Sequence, residues 1–199
     1  MKSILLIVLG LWINSSFVWA QKTEIVFEVS FKNKKIGTIH AVEETKGNRV
    51  IKDLKTNTDT KVFMISVHVE SEVTVITENN ILIEGTAYRH ANRGAEDIHA
   101  QVKKTGDKTY QCIRAGKPLT LQNEVITECM IDLYFKEPKN STTVFSNMYG
   151  KKLVLKSLGG SRYQLITPDN KDSYYTYKNG KLISVEADTP VGKVISNRI

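Results

Sequence analysis

The chain has 199 residues, with 28 Lys and Arg against 21 Asp and Glu and a formal net charge of +7. This length suits one domain with one core, so no second domain is needed. The basic charge is spread along the chain, and the pairs Lys34-Lys35, Lys103-Lys104 and Lys151-Lys152 are isolated beside turn-like positions. This argues against nucleic-acid binding, because that function needs a basic patch interleaved with aromatic residues.

The first twenty residues have the pattern of a signal peptide. Lys2 precedes an apolar run of ten residues, and a polar break then leads to Val18 and Ala20. The run is shorter than the roughly 20 apolar residues of a membrane-spanning helix. We therefore expect a signal peptide over residues 1–20, a single all-β domain over 21–199 with no membrane span, and an exported protein, either periplasmic or extracellular.

From Glu24 onwards the chain alternates apolar and polar residues, which is the pattern of half-buried β-strands. The clearest run extends from Phe63 to Val75, and Asn179-Gly180 is a strong two-residue hairpin signal. The predicted strands cover residues 24–32, 35–45, 48–59, 61–77, 81–91, 96–105, 107–114, 152–158, 161–167, 172–178, 181–188 and 191–198.

These strands predict an all-β fold, an antiparallel meander in which strands adjacent in sequence pair in space. A sheet of this size twists and cannot stay flat. We therefore expect it to curl into a half-barrel or a barrel-like sheet, or else to split into two packed layers.

A short helical or irregular insertion near residues 123–150 interrupts the alternation. Apolar residues lie near helical spacing from Met130 to Tyr134. A second helical turn is predicted to begin with Ser141 as its N-cap and to stop at Gly150. The insertion is the one part of the chain after the signal peptide where the strand pattern fails.

Large apolar and aromatic side chains mark this insertion as the candidate site. Two interpretations are open: the side chains plug the core on the concave side of the sheet, or they line the mouth of a ligand pocket under a lid. Apolar residues at helical spacing are usually core, so the plug is favoured. The candidate residues are Leu133, Tyr134, Phe135, Phe145, Met148 and Tyr149.

The two cysteines, Cys112 and Cys129, have three interpretations. An oxidising compartment permits a disulfide, which would stabilise the fold by about 3 kcal/mol through loop closure. The other interpretations are two buried, unpaired thiols, or a cysteine nucleophile, which would need a lowered thiol pKa. The sequence leaves all three open.

No metal site, cofactor or catalytic residue is predicted. His68, Glu70 and Glu72 share one face of a strand, but successive residues on that face are about 6.6 Å apart, so a solvated face is the better interpretation. A Gly-x-Ser-x-Gly nucleophile elbow is missing from the sequence. Gly159-Gly160-Ser161 stands between two predicted strands and indicates a hairpin turn.

Three segments carry a family resemblance: "LYFKEP", "VFSNMYGKKLVLKSLGGSRYQLITPDN" and "YTYKNGKLISVEAD". They resemble a family of exported bacterial proteins, typical of the Bacteroidota, that is called domain of unknown function 6134. The resemblance covers most of the chain after the signal peptide and is most specific from Leu133 to Asp188. It implies a signal peptide and an all-β domain, and it supplies no activity or catalytic residues. The two cysteines are not part of the pattern.

We therefore expect an exported, non-catalytic binding module whose curled sheet holds an apolar or amphipathic ligand or an envelope protein. The alternative is a structural or interaction protein of the cell envelope with a solid core and no pocket. A hydrolase of unrecognised type is the least favoured class. A cavity of roughly 300 Å³ or more with apolar walls would favour the binding module.

Overall fold

The computed structural model describes residues 20–62, 65–92, 96–189 and 192–199. Residues 1–19 of the expected signal peptide, and Phe63 of the predicted strand, lie outside the described residues. Within them, no helix has the length and apolar character required to cross a membrane.

Fourteen strands and one short 3₁₀ helix make up the described chain. The helix spans Met130–Tyr134. The strands are β1 Gln21–Phe31, β2 Lys34–Lys46, β3 Arg49–Val62, β4 Ile65–Glu78, β5 Ile81–Ala91, β6 Ile98–Gly106, β7 Thr109–Arg114, β8 Lys117–Gln122, β9 Thr143–Ser146, β10 Lys151–Gly159, β11 Arg162–Ile166, β12 Ser173–Lys178, β13 Lys181–Thr189 and β14 Gly192–Arg198.

All fourteen strands belong to one antiparallel sheet, in the order β8-β7-β6-β5-β4-β3-β2-β1-β14-β13-β12-β11-β10-β9. The chain runs from β1 to one edge at β8, crosses to the other edge at β9, and returns to β14. There β14 pairs with β1, with Phe27 opposite Arg198. The sheet does not close into a barrel. The first and last strands therefore lie in its interior, and β8 and β9 form its edges.

The prediction of an all-β antiparallel meander is confirmed. Alternation places one side of every central strand in a common core; in β1 this side carries Ile25, Phe27, Val29 and Phe31. The sheet curls round the segment that links its two edges, residues 123–150, which we call the plug segment. Asn147 of this segment lies against Gly85 of β5, on the inward face.

The plug segment differs in part from the prediction. The helical turn near Met130 is present as the 3₁₀ helix. The second helix is wrong, because Thr143–Ser146 is a strand that pairs with β10. The β-branched run Thr142, Thr143 and Val144 favours a strand over a helix. Ser141 caps no helix, since its hydroxyl donates to the Glu128 carboxylate.

The turn after β9 ends at Gly150, whose φ of 63° lies in the left-handed region that suits glycine. Its N–H donates to the carbonyl of Ser146 at 2.8 Å. The glycine predicted as a helix stop therefore closes a tight turn. This turn places Met148 and Tyr149 beside the concave face of the sheet.

Candidate functional site

The plug segment fills one end of the curled sheet. Leu133 and Phe145 are each 1% exposed and belong to the core of the sheet. Tyr134 is also buried, whereas Phe135, Met148 and Tyr149 are partly buried against the same core. The structure thus brings all six candidate residues to one side of the sheet, at two depths.

An ion pair attaches the plug segment to the sheet. Lys52 of β3 faces inward beside Leu54, and its Nζ lies 2.5 Å from Asp132 and 3.2 Å from Glu43. Asp132 also accepts the N–H of Cys129 at 2.7 Å. Burial acts to lower the pKa of Lys52, but the two carboxylates outweigh it and raise that pKa above its ordinary value.

Tyrosines of the sheet hold the other side of the 3₁₀ helix. The Tyr177 hydroxyl donates to the carbonyl of Leu133 at 2.6 Å. The Tyr134 ring meets Phe27 and Tyr175 edge to face, with ring centroids 5.5 and 6.2 Å apart. Burial raises the pKa of Tyr134, Tyr175 and Tyr177. These rings fix the helix where it faces the remaining interior.

Beside the plug segment the concave face forms a partly open cavity of about 360 Å³. The cavity reaches from Tyr134 and Met148 of the plug segment toward the end of the sheet where β1, β3 and β13 turn. Its walls are mostly apolar. The apolar lining residues are Val29, Phe31, Ile36, Ile39, Leu54, Val67, Val69, Val73, Ala91, Met130, Tyr134, Met148, Tyr175, Val185, Ala187 and Val194.

A polar row crosses this apolar wall. Strand register places Thr56 opposite Ser71, and Ser71 opposite Arg89, so the three residues follow one another across β3, β4 and β5. All three line the cavity. Other hydroxyl residues lie along the wall, including Thr58 and Thr60 of β3. These short side chains leave open space where larger ones would fill the core.

Among the described residues that line the cavity, Arg89 is the one charged side chain. Its Nη2 donates to the carbonyl of Glu96 at 3.1 Å. Within the described residues, its buried Nε has no hydrogen-bond partner. An arginine on an otherwise apolar and hydroxyl wall is the strongest electrostatic feature of the cavity.

The candidate residues divide between core and cavity. Tyr134 and Met148 line the cavity, whereas Leu133 and Phe145 pack away from it in the core. The hydroxyl of Tyr149 donates to Asp169 at 2.9 Å. Burial and this hydrogen bond raise the pKa of Tyr149 to about 12, against the opposing charge of Arg89.

The cysteines are two buried free thiols in the structure. Their sulfurs are not at bonding distance, because Cys112 lies on β7 beside Gly150 whereas Cys129 forms a bridge with Phe145. Burial raises the pKa of both thiols. A reactive cysteine needs a lowered pKa, so neither environment activates a nucleophile.

The polar face of β4 makes contacts between neighbouring strands. His68 Nδ1 lies 2.8 Å from Asp59, and the Tyr88 hydroxyl donates to Glu70 at 2.9 Å. Glu72 pairs with Lys55 at 2.8 Å. Across the part of the chain that the structure describes, no three His, Cys, Asp or Glu residues converge as metal ligands do.

Several residues that shape the site are not predicted by the sequence pattern. On β5, every second residue from Gly85 to Ala91 lies on the inward side, where Ala87 and Ala91 are buried. Arg89 has the same spacing, so the alternation indicates that it faces inward. No comparable signal exists for the pairing of Lys52 with Asp132, since these residues come from segments 80 positions apart. Their contact depends on how the sheet curls.

Comparison with known proteins supplies one match. A family model described as Domain of unknown function (DUF6134) matches residues 27–199. No curated protein and no solved structure matches the chain. The matched region includes the plug segment and every residue that lines the cavity.

Proposed function

The chain belongs to the family called Domain of unknown function (DUF6134), and on that premise we propose that it is a non-catalytic binding module for an apolar or amphipathic ligand. The observation that carries this proposal is the cavity of about 360 Å³ on the concave face. Ligand pockets are mostly apolar, have a few polar groups and measure roughly 300 to 1,000 Å³. The cavity fits each part of that description.

The plug segment supports a preformed cavity. Asp132 is held by Lys52, and the carbonyl of Leu133 by Tyr177, so the 3₁₀ helix is anchored on two sides. Tyr134 and Met148 then close one end of the cavity from fixed positions. A ligand that enters a preformed cavity loses less free energy to ordering of the protein than one that must shape its own site.

A non-catalytic role agrees with the chemistry of the nucleophiles. Both thiols are buried, and burial raises the pKa of each, which keeps them protonated at neutral pH. The inward tyrosines Tyr134 and Tyr175 likewise have raised pKa values. The groups nearest the cavity are therefore suited to contact a ligand rather than to attack it.

Mass spectrometry of the protein purified from its native cells tests the proposal. We expect a small apolar or amphipathic molecule to co-purify with the protein. In Val69→Trp, an indole added to the cavity wall should take the space of the ligand and remove that signal. The matched control is Val154→Trp on the outer face, where residue 154 is 53% exposed; this variant should keep the ligand.

The alternative is a structural or interaction protein of the envelope. It is supported by the packing of the plug segment against the concave face, with Leu133 and Phe145 buried in the core. A wild-type protein that carries no small molecule and that also binds no added amphiphile would contradict the binding module and favour this alternative.

We also propose that the protein is exported, as proteins of the Bacteroidota that this chain resembles are. Support comes from the charged, apolar and small-residue pattern of residues 1–20. An envelope destination would also bring the protein near amphipathic ligands or envelope proteins. N-terminal sequencing of the protein from its native cells should begin at Gln21; a retained Met1 would contradict export by this route.

A further inference from the structure

We propose that Arg89 recognises the anionic headgroup of a single-chain amphiphile, whose alkyl chain occupies the apolar remainder of the cavity. This inference rests on the proposed function, and it adds the chemical class of the ligand and the residue that selects it. Arg89 lines the cavity, and among the described residues no carboxylate lies within ion-pair distance of it.

Arg89 lacks a partner of opposite charge. It forms no ion pair within 4.0 Å in the described part of the chain, and the residues outside that part include no Asp or Glu. Asp169, the carboxylate beside Tyr149, has other partners, since it accepts from Tyr149 at 2.9 Å and pairs with Lys171 at 3.4 Å. A partly buried guanidinium that has no anion is costly to the fold.

The free donors of Arg89 suit an anion with two oxygens. A guanidinium has five N–H donors in a planar fork, and the carbonyl of Glu96 accepts from Nη2 only. The buried Nε–H has no acceptor within the described residues. Carboxylate and phosphate groups match this fork with two parallel hydrogen bonds. The hydroxyls of Ser71 and Thr56 continue from Arg89 across the sheet and add polar groups beside the same point.

The remainder of the cavity suits one alkyl chain. Most of its other lining residues are aliphatic or aromatic, and the rest are Thr and Ser. The volume of about 360 Å³ lies near the lower end of the range for ligand pockets. A lipid with two acyl chains needs much more space than one with a single chain, so the volume favours a single-chain amphiphile.

Equilibrium dialysis with palmitate and hexadecanol tests the inference, because the two probes share an alkyl chain and differ in headgroup charge. The wild type should bind palmitate at least about tenfold more tightly than hexadecanol. Arg89→Met keeps an unbranched stem of about the same length and removes the guanidinium group with its charge. It should weaken palmitate binding by roughly 10- to 100-fold and leave hexadecanol binding nearly unchanged.

Two further variants separate the loss of the Arg89 charge from a general effect of an Arg→Met substitution on the fold. Arg162→Met removes a cation that pairs with Glu186 at 3.1 Å and is absent from the cavity lining, and it should leave both affinities unchanged. Arg89→Gln provides a polar variant in case Arg89→Met fails to fold, and it should lose the preference for palmitate in the same way.

The outcomes separate the two proposals. Equal binding of palmitate and hexadecanol by the wild type, or a palmitate affinity that survives both Arg89 variants, would overturn the headgroup role of Arg89 and leave the binding module standing. Failure of the wild type to bind either probe would overturn both. Loss of both affinities in a folded Arg89→Met protein would assign Arg89 to cavity shape and overturn the headgroup role.

Discussion

At the scale of single residues, the inward-facing charges decide how the interior is organised. Lys52 and Arg89 both point to the concave side of the sheet, yet only Lys52 has carboxylate partners, Asp132 and Glu43. The first cation therefore fixes the plug segment, whereas the second has the headgroup role that we propose for it. Removal of either charge should have a different consequence, stability in one case and binding in the other.

Removal of the Lys52 charge should destabilise the fold strongly. Lys52→Met leaves the Asp132 carboxylate buried without its cation, and the loss of one partner from a buried pair costs about 3 kcal/mol or more. Denaturant unfolding at neutral pH measures the loss. The matched control is Lys55→Met, whose exposed pair with Glu72 lies on the outer face and which should lose far less. Equal losses in the two variants would contradict the anchoring role of Lys52.

Truncation of Phe145 tests the core position of the plug segment. Phe145 is 1% exposed, so Phe145→Ala should lower the free energy of unfolding by about 3 to 5 kcal/mol. Phe135, which is partly buried in the same segment, provides the control, and Phe135→Ala should lose less. A loss below about 1 kcal/mol for Phe145→Ala, the size of an ordinary surface change, would mean that the segment is a loosely packed lid.

At the scale of the strands, backbone packing limits which residues the sheet accepts. The register of β1 with β2 shifts between Val29 and Ser30, opposite Gly37. A Cβ added at Gly37 would lie 2.0 Å from the backbone oxygen of Asn57 on β3. Backbone atoms cannot rotate away as a side chain can. The close approach of β2 to β3 therefore depends on glycine at this position.

A methyl group at Gly37 should disturb the cavity wall as well as the fold. We expect Gly37→Ala to cost about 1 to 3 kcal/mol, the usual cost of overpacking, because β2 and β3 must separate locally. Gly106→Ala is the control, since its added Cβ would have only ordinary contacts, the nearest at 3.5 Å from Thr109. Thermal unfolding that shows the same midpoint for both variants would contradict this account.

The strands also show what the sequence can predict. Strands with one buried side, such as β1, follow from alternation alone. Edge strand β8 is harder to predict, because Pro118 weakens a strand pattern and Leu119 remains exposed. For strand β9 the sequence predicts a helix, because Phe145 and Met148 also fit helical spacing. The cavity could not be predicted from the sequence, because it depends on the curl of the sheet. The curl brings residues of the plug segment and strands distant in sequence onto one surface.

At the scale of the whole molecule, the concave face concentrates groups that must stay protonated. Burial raises the pKa of Tyr134, Tyr175 and Tyr177 above the ordinary value of 10.0. The pKa of Lys52 lies above its ordinary value of 10.5 because its carboxylate partners outweigh burial. Each group has a folded pKa above its unfolded value, so its contribution to stability is complete below the unfolded pKa and is lost as the pH rises through the folded pKa.

Alkaline conditions should therefore unfold the protein cooperatively. With respect to these groups, we expect stability to be constant from neutral pH to about pH 10 and to fall above it. Tyrosinate absorbance and circular dichroism should change together. Tyr175→Phe removes one of the ionising groups, so its alkaline midpoint should move to higher pH. Ionisation of all tyrosines while the circular dichroism stays native would contradict the burial of these rings.

The strand order also determines how the chain can fold. Every pair of neighbours in the sheet is consecutive in sequence except β1 with β14, which joins residues near position 27 to residues near position 198. Hairpins of adjacent strands form quickly, whereas contacts between distant residues carry the cost of closing a long loop. We expect two arms of the sheet to form first and their union along β1 and β14 to be the slow step. Because Val29 and Val194 line the cavity from either side of that union, the cavity is complete only after β1 and β14 have paired.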